Sequence, residues 1–388
     1  MQQTRIPAAF IRGGTSKALI FKSTDLPEAR EDCDRIFLET MGSPDPYGRQ
    51  LNGMGGGLSS LSKVCIVGPS SHPEADVDYT KAQIQLREAR VDYHSNCGNM
   101  SAAIGPFAVD EGMVKVAPDG EALVRIYNTN TRKLIHARFA MVNGSAAVDG
   151  DLVIPGVAGS GSAVRLDFLD PGGATTGKLL PTGQVLDVLD VDGVGQFTVS
   201  MIDAANACVF VRAVDLGLTG AEMPEEIESK PGLLELLSKI RCAASVAMGI
   251  CATVQEASKK SVPIIGFVSP SQDAPMLNGE RIEADQIDVT ARMLSNGQPH
   301  RALPITASLC LAVAARLSGS VVHQCTRPGQ AVNLSIGMPS GILVADAQVT
   351  QDGGTWVAER CTLLRTQRRL FDGSVYARTS RIGQNSQG

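Results

Sequence analysis

Short apolar runs, many of them alternating with polar residues, recur along the chain and predict strands. They cover Arg5 to Ile11, Lys17 to Phe21, Val64 to Val67, Val77 to Leu86 and Val124 to Tyr127. Further runs are Val164 to Leu169, Phe197 to Ile202, Cys208 to Ala213 and Ile264 to Val268. The last stretch reads as hairpins around Val332 to Ile336, Ile342 to Val344 and Trp356 to Leu364. Four segments keep helical spacing instead. In Glu28 to Met41 the apolar positions Cys33, Ile36, Phe37 and Met41 share a face, and Ser43-Pro44 stops the helix. Asn99 to Val109 carries Met100, Ala103, Ile104 and Phe107 on one side, with Pro106 expected to kink or shorten it. Leu233 to Met248 and Pro304 to Leu317 are apolar enough to be buried. The pattern predicts an α+β protein with a central buried helix in each half, wrapped by strands. A glycine-rich, acidic stretch over 183–195 separates the halves, which places domains at 1–185 and 186–388 with terminal strands free to cross between them.

Composition narrows the classes. The 388 residues suit two domains. No apolar run approaches the ~20 residues of a membrane helix, and the N-terminus shows no secretory signal. The nine cysteines form no CxxC pair and no zinc spacing. They are expected as reduced thiols in the cytoplasm. A formal net charge of −5 and 4% aromatics give no footprint for nucleic acid or an anionic membrane. An acidic protein can still hold a locally positive site. No GxGxxG, GxxxxGK[ST] or HExxH occurs, so neither a cofactor nor a metal is expected.

Three segments carry candidate chemistry. In Arg12-Gly13-Gly14-Thr15-Ser16-Lys17, glycine backbone and the Thr15 and Ser16 hydroxyls can hold a carboxylate. A plain hairpin turn accounts for the same residues equally well. The long glycine-rich segment from Gly42 ends at Lys63, just before an apolar strand. An ammonium there is partly desolvated, which favours a neutral base; a solvated lysine at a strand start is the commoner case. Ser95-Asn96-Cys97-Gly98-Asn99 leads into a helix, whose N-terminal amides favour thiolate and can bind a carboxylate. Cys97 lies outside the apolar runs that hold Cys65, Cys208, Cys242, Cys251 and Cys310, which read as structural cysteines. His300 precedes Arg301 and an apolar helix and is a weaker anion-binding candidate.

Several motifs in one order carry a resemblance. They are Arg12 to Lys17, GSPDP at 42–46, GMGGG-x-SSLSK at 53–63, ADVDY at 75–79, NCGN at 96–99, GPF at 105–107, NTNT at 128–131 and LDFLDPGGATTGKLLPTG at 166–183. The chain resembles the 2-methylaconitate and 3-methylitaconate isomerases, PrpF-like proteins of the diaminopimelate-epimerase-like fold. The resemblance implies two similar α+β domains, each with strands around a central helix, and an active site in the cleft between them. It implies a cofactor-free isomerase, a small anionic polycarboxylate as substrate and a homodimer.

The family's catalytic Lys and Cys map onto Lys63 and Cys97. Carboxylate-binding positions map onto Thr15, Ser16 and the turn of Asn96, Gly98 and Asn99, and Lys17 is a further substrate-binding candidate. Gly56, Gly57, Ser59 and Ser60 are added as loop candidates. The expected chemistry is a 1,3-allylic proton shift or a cis–trans exchange, with Lys63 as base and Cys97 as second acid/base; the reverse assignment stays open. The SSLSK loop looks like the methylaconitate branch, whereas VDYHSNCGNMSA and YNTNT look like the methylitaconate branch. Relatives also isomerise 4-oxalomesaconate, so the substrate stays open within this class. A non-catalytic accessory of an iron–sulfur hydratase is the second reading. An amino-acid epimerase is the third, and it lacks support because no second Cys-Gly motif occurs in the C-terminal half.

Overall fold

The computed structural model describes residues 2–93, 97–295, 297–329, 333–378 and 380. The chain divides into two compact units. The first comprises Met1–Val153, Gly159–Leu166 and Leu364–Gly388, and the second Ile154–Ala158 and Asp167–Leu363. The stretch 183–195 lies within the second unit, where Asp187–Val191 pairs with Gly195–Ala204 as a hairpin.

In the first unit, Gln3–Gly13 (β1) and Ser16–Lys22 (β2) form a hairpin in which Gly13 opposes Ser16. Arg30–Met41 (α1) follows, then the glycine-rich segment, then Lys63–Pro69 (β3) and Val77–Ile84 (β4). Val91–Asp92 (β5), Gly98–Asp110 (α2), Gly120–Asn128 (β6) and Lys133–Val142 (β7) complete the run. β2 and β3 are parallel, β3 and β4 antiparallel, β4 and β6 parallel, β6 and β7 antiparallel. The strand Gln367–Arg378 pairs antiparallel along the length of β1.

Helix α2 touches β1, β2, β3, β6, β7 and Gln367–Arg378, and every residue from Gly98 to Val109 is buried. This explains why it survives Pro106. The lost hydrogen bond and ring clash cost about 3 kcal/mol. Burial of Met100, Ile104 and Phe107 offsets that at about 1.5–3 kcal/mol each. Contrary to the expected kink or shortening, the helix runs on to Asp110. Gly105 is needed for this packing: a Cβ there would lie 2.9 Å from the Phe139 ring and 3.0 Å from the Ala137 methyl.

The sheet's two faces follow from the period of two. Leu19, Phe21, Val64, Ala82 and Ile84 pack with Cys33, Ile36, Phe37 and Met41 of α1. The opposite face carries Lys63, Cys65, Tyr79, Lys81 and Gln83, with Lys63 opposite Gln83 and Cys65 opposite Lys81.

The second unit repeats this scheme. Its central helix Ile305–Arg316 is buried from Ile305 to Ala315 and contacts Gly195–Ala204, Asn206–Arg212 and Gly341–Asp352. A second helix, Leu233–Ala247, packs Leu233, Leu237, Ile240 and Ala244 on a core of Val199, Met201, Val209, Val211 and Phe267. All nine cysteines are free and buried. Among the described residues no helix is long and apolar enough to cross a membrane.

The β1–β2 turn sits directly on the start of α2. A Cβ on Gly13 would fall 2.6 Å from the Asn99 carbonyl oxygen and 3.1 Å from the Met100 Cα. Both are helix backbone and cannot swing away. Gly13→Ala is therefore expected to cost about 1–3 kcal/mol by overpacking, read as a lowered urea midpoint. An unchanged midpoint would mean that the helix can retreat from the turn.

Candidate active site

Lys63 opens β3, and only 8% of it is exposed. Its Nζ donates to Gln83 Oε1 at 2.7 Å. Gln83 Nε2 in turn donates to the carbonyls of Ser59 and Ser62, each at 3.0 Å. The amide of Gln83 thus ties the end of the glycine-rich segment to the amine that the segment delivers. The segment itself is organised by Gln50, which is 1% exposed. Its Nε2 donates to Ser43 Oγ at 2.8 Å, and its Oε1 accepts from the Gly57 amide at 3.0 Å and from Ser62 Oγ at 2.6 Å. Gly55 must be glycine because a Cβ would overlap the Gln50 amide group. Asp45 caps the turn before it, accepting from the amides of Tyr47, Arg49 and Gln50. These bonds hold its carboxyl below the usual range.

Cys97 is the N-cap of α2 and is 8% exposed, with no side-chain cap bond. Its carbonyl accepts from the amide and hydroxyl of Ser101 at 3.1 and 3.2 Å. The N–H groups of Gly98, Asn99 and Met100 have no helical carbonyl one turn back. They supply the positive end of the helix dipole next to the thiol.

Lys81 lies between these two residues in electrostatic terms and is 2% exposed. Burial first, then the neighbouring Lys63, bring it down to about 8, against the pull of Cys97, Asp92 and Cys65. Cys65 is pushed up to about 12, first by burial and then by Cys97, although Lys63 and Lys81 oppose this. Cys65 is a neutral thiol across the physiological range. The Tyr79 phenol is raised well above its ordinary value by burial, Cys65 and Cys97. Lys63, Cys65 and Lys81 therefore share one buried sheet face, and both Lys81 and Cys65 feel the charge of Cys97 as well as that of Lys63.

The backbone of this patch is clasped by Asn130. Its Oδ1 accepts from the Lys81 amide at 2.8 Å, and its Nδ2 donates to the carbonyls of Lys81 and Tyr93 at 2.9 and 2.7 Å. Asn128 Oδ1 holds the turn by accepting from the amides of Asn130 and Thr131. The NTNT motif is thus a clasp between β4 and the segment that approaches Cys97.

The remaining candidates separate clearly. Thr15 and Asn99 join the patch from its N-terminal edge: the Thr15 amide donates to Asn99 Oδ1 at 3.3 Å, and Asn99 Nδ2 donates to Thr15 Oγ1 at 3.1 Å. Ser16 and Gly98 are buried beside them. Lys17 does not join: it lies on the opposite sheet face from Lys63, 5.6 Å over the Phe10 ring. Ser59 lends its carbonyl to Gln83, Ser60 is half-buried, Gly57 is held by Gln50 and Gly56 is exposed. His300 belongs to the second unit, where its Nε2 hydrogen-bonds Ser295 Oγ at 2.6 Å. Asn96 lies outside the described residues. Lys81, Gln83, Gln50 and Asn130 went unremarked as site residues at the sequence level. Only Lys81 carried a signal: two positions past Tyr79, it falls on the same face of β4 as Gln83.

The family model for the PrpF protein matches residues 3–378. The chain is 42% identical to a 3-methylitaconate isomerase of Eubacterium barkeri, over 98% of this chain and 99% of that one. It is 35% identical to a 2-methyl-aconitate isomerase of Shewanella oneidensis, over 96% and 97%. A crystal structure of a methylitaconate-delta-isomerase superposes with TM-score 0.82 and 40% identity, covering 100% of this chain and 99% of that one. A hydroxyproline epimerase from Agrobacterium vitis superposes with TM-score 0.54 at 12% identity, over 96% and 93%, and shows the shared epimerase-like fold. With full-length isomerase relatives at this identity the chain is an isomerase, and it belongs to the PrpF family.

Proposed function

We propose that the protein moves the double bond of a small unsaturated di- or tricarboxylate of the methylitaconate or methylaconitate type, with Lys63 and Cys97 exchanging one proton. The observation that carries this reading is the shared buried patch: an amine oriented by Gln83, a thiol at a helix N-terminus, and a second amine that feels both. One C–H bond breaks at the carbon vinylogous to a carboxylate, and its electron pair spreads into a dienolate. The proton goes to Lys63. A proton from the Cys97 thiol then forms the new C–H bond at the far end of the allyl unit, and return of a proton from Lys63 to the thiolate restores both groups. Positioned acid–base groups of this kind contribute roughly 10²–10⁴-fold.

The dienolate gathers negative charge, so cations and amides aimed at it matter most. A preorganised donor is typically worth ~3–4 kcal/mol where tested. Lys81 supplies a cation below about pH 8, and the first turn of α2 supplies amides. The reading carries with it a cytoplasmic protein with reduced thiols and, as the family resemblance implies, a homodimer. Light scattering of the purified protein tests the pairing, and a monomer at working concentration removes that part alone.

Deuterium uptake into methylitaconate in D₂O, followed by proton NMR, tests the chemistry. Lys63→Met should reduce exchange by at least about 10³-fold with the circular dichroism unchanged. Exchange at the wild-type rate in that variant removes the proposal. Cys97→Ser should fall less far, since a hydroxyl can relay a proton through water. A wild-type protein that exchanges no deuterium into any of these acids would favour the accessory role.

Lys81 also predicts a pH dependence of stability. Unfolded, it titrates near 10.5; folded, near 8. Between these values the unfolded chain binds a proton that the folded chain has released, so stability rises with pH across this window. Lys81→Met should lack that rise, which is on the order of 3 kcal/mol. Urea unfolding of both proteins from pH 7.5 to 10 reads it. A wild-type-minus-variant difference that stays flat across that range contradicts the buried amine.

A further inference from the structure

Two arginines of the described residues are almost wholly buried, and they differ in how they are satisfied. Arg292, 1% exposed, donates to four backbone carbonyls, those of Glu222, Ala221, Ala291 and Gly337. It is a structural strut. Arg365, 5% exposed, is not satisfied in this way. Its Nη1 donates to the carbonyl of the adjacent Leu364 at 2.8 Å, while its buried Nε has no hydrogen-bond partner. Burial alone brings the guanidinium down to about 9, and no carboxylate among the described residues counters it. Of the partly exposed arginines in this unit, Arg369 pairs with Glu111 and Arg378 with Glu39, whereas Arg12 donates to the carbonyls of Gly14 and Thr366.

A buried, uncompensated cation is a net cost to the fold. Its position in the first unit says what offsets the cost. A Cβ placed on Gly14 would lie 3.2 Å from Arg365 Cδ and would overlap Asn99 Oδ1. The stem of Arg365 therefore packs on the turn that is pinned to Asn99, two residues beyond Cys97. The adjoining carbonyl of Thr366 accepts from the Gly14 amide at 2.9 Å, which fixes Arg365 in that place. The stem that carries the uncompensated guanidinium thus packs on the turn that meets the first turn of α2, whose amides also lack partners within the helix.

We propose that Arg365 is a substrate-binding residue that takes a carboxylate of the ligand as its missing counter-ion, beside the N-terminus of α2. This rests on the reading above that the ligand is a small polycarboxylate. A planar guanidinium suits the task because it can donate two parallel bonds to one carboxylate.

The test uses tricarballylate, a saturated and unreactive tricarboxylate, titrated calorimetrically into wild-type protein, Arg365→Met and Arg365→Lys. Thermal unfolding is recorded for each without ligand. Arg365→Met should bind about 10- to 100-fold more weakly, yet melt at the same temperature as wild type or higher, because a desolvated charge is gone. Arg365→Lys should recover part of the affinity. The inference is overturned if Arg365→Met binds within twofold of wild type. It is also overturned if Arg365→Met melts well below wild type without ligand and Arg365→Lys restores melting and binding together, since that marks a strut. Deuterium exchange into methylitaconate by the wild type keeps the two levels apart. Exchange with undiminished binding by Arg365→Met sinks the role of Arg365 alone. A wild type that neither exchanges nor binds tricarballylate sinks both.

Discussion

The first unit depends on how closely helix α2 can be seated inside a sheet that surrounds it. A helix buried on every side has no water to satisfy its first turn, so that end must be closed by backbone, by side chains or by a ligand. Here the β1–β2 turn closes part of it. Gly13 lets the turn rest on the helix backbone, and Gly14 leaves room for the Asn99 carboxamide and the stem of Arg365. Thr15 and Asn99 then lock to each other through two hydrogen bonds. The N-cap of the same helix is Cys97, whose side chain makes no cap bond.

The buried charges of this unit run against the protein as a whole. The chain carries a formal net charge of −5. Yet Lys63, Lys81 and Arg365 are buried in the same unit as the helix N-terminus. Burying cations is expensive in proportion to their desolvation. The cost is already visible in Lys81 and Arg365, both drawn well below their ordinary values by burial. An arrangement of this kind loses stability in the free protein and regains it when an anion enters. It also suits a reaction whose intermediate is more negative at its centre than the substrate.

Much of the surrounding architecture serves to hold that patch still. Gln50 gathers Ser43, Gly57 and Ser62, so the glycine-rich segment is a tied structure that ends in Lys63. Gln83 orients the amine, and Asn130 ties the backbone of Lys81 to that of Tyr93. These three are uncharged amides acting through both donor and acceptor ends. A neutral amide can be buried at modest cost if all its bonds are made. It can therefore organise a site without altering its charge.

The sequence by itself determined the local elements, the family and the positions of Lys63 at a strand start and Cys97 at a helix start. Apolar periodicity is a local property, so β1 to β4, the four longer helices and the buried character of Ile305–Arg316 were legible from residue types, whereas the short helices Pro224–Ser229, Val254–Ser258 and Val321–Cys325 were not. Lys63 at the head of an apolar strand and Cys97 at a helix start were legible for the same reason. Tertiary structure decided the rest. The strand Gln367–Arg378 has no clear alternation, and its pairing with β1 joins opposite ends of the chain. The helix through Pro106 survives because packing outweighs a local penalty. Lys17 reads as a site residue beside two glycines, yet strand alternation and the register with β3 turn it to the other face. Gln50, Asn130 and Arg365 look ordinary in sequence because an amide or an arginine is usually solvated, and Lys81 signals no more than its sheet face. Their significance lies in burial and in partners made or missing, and those are properties of the folded chain.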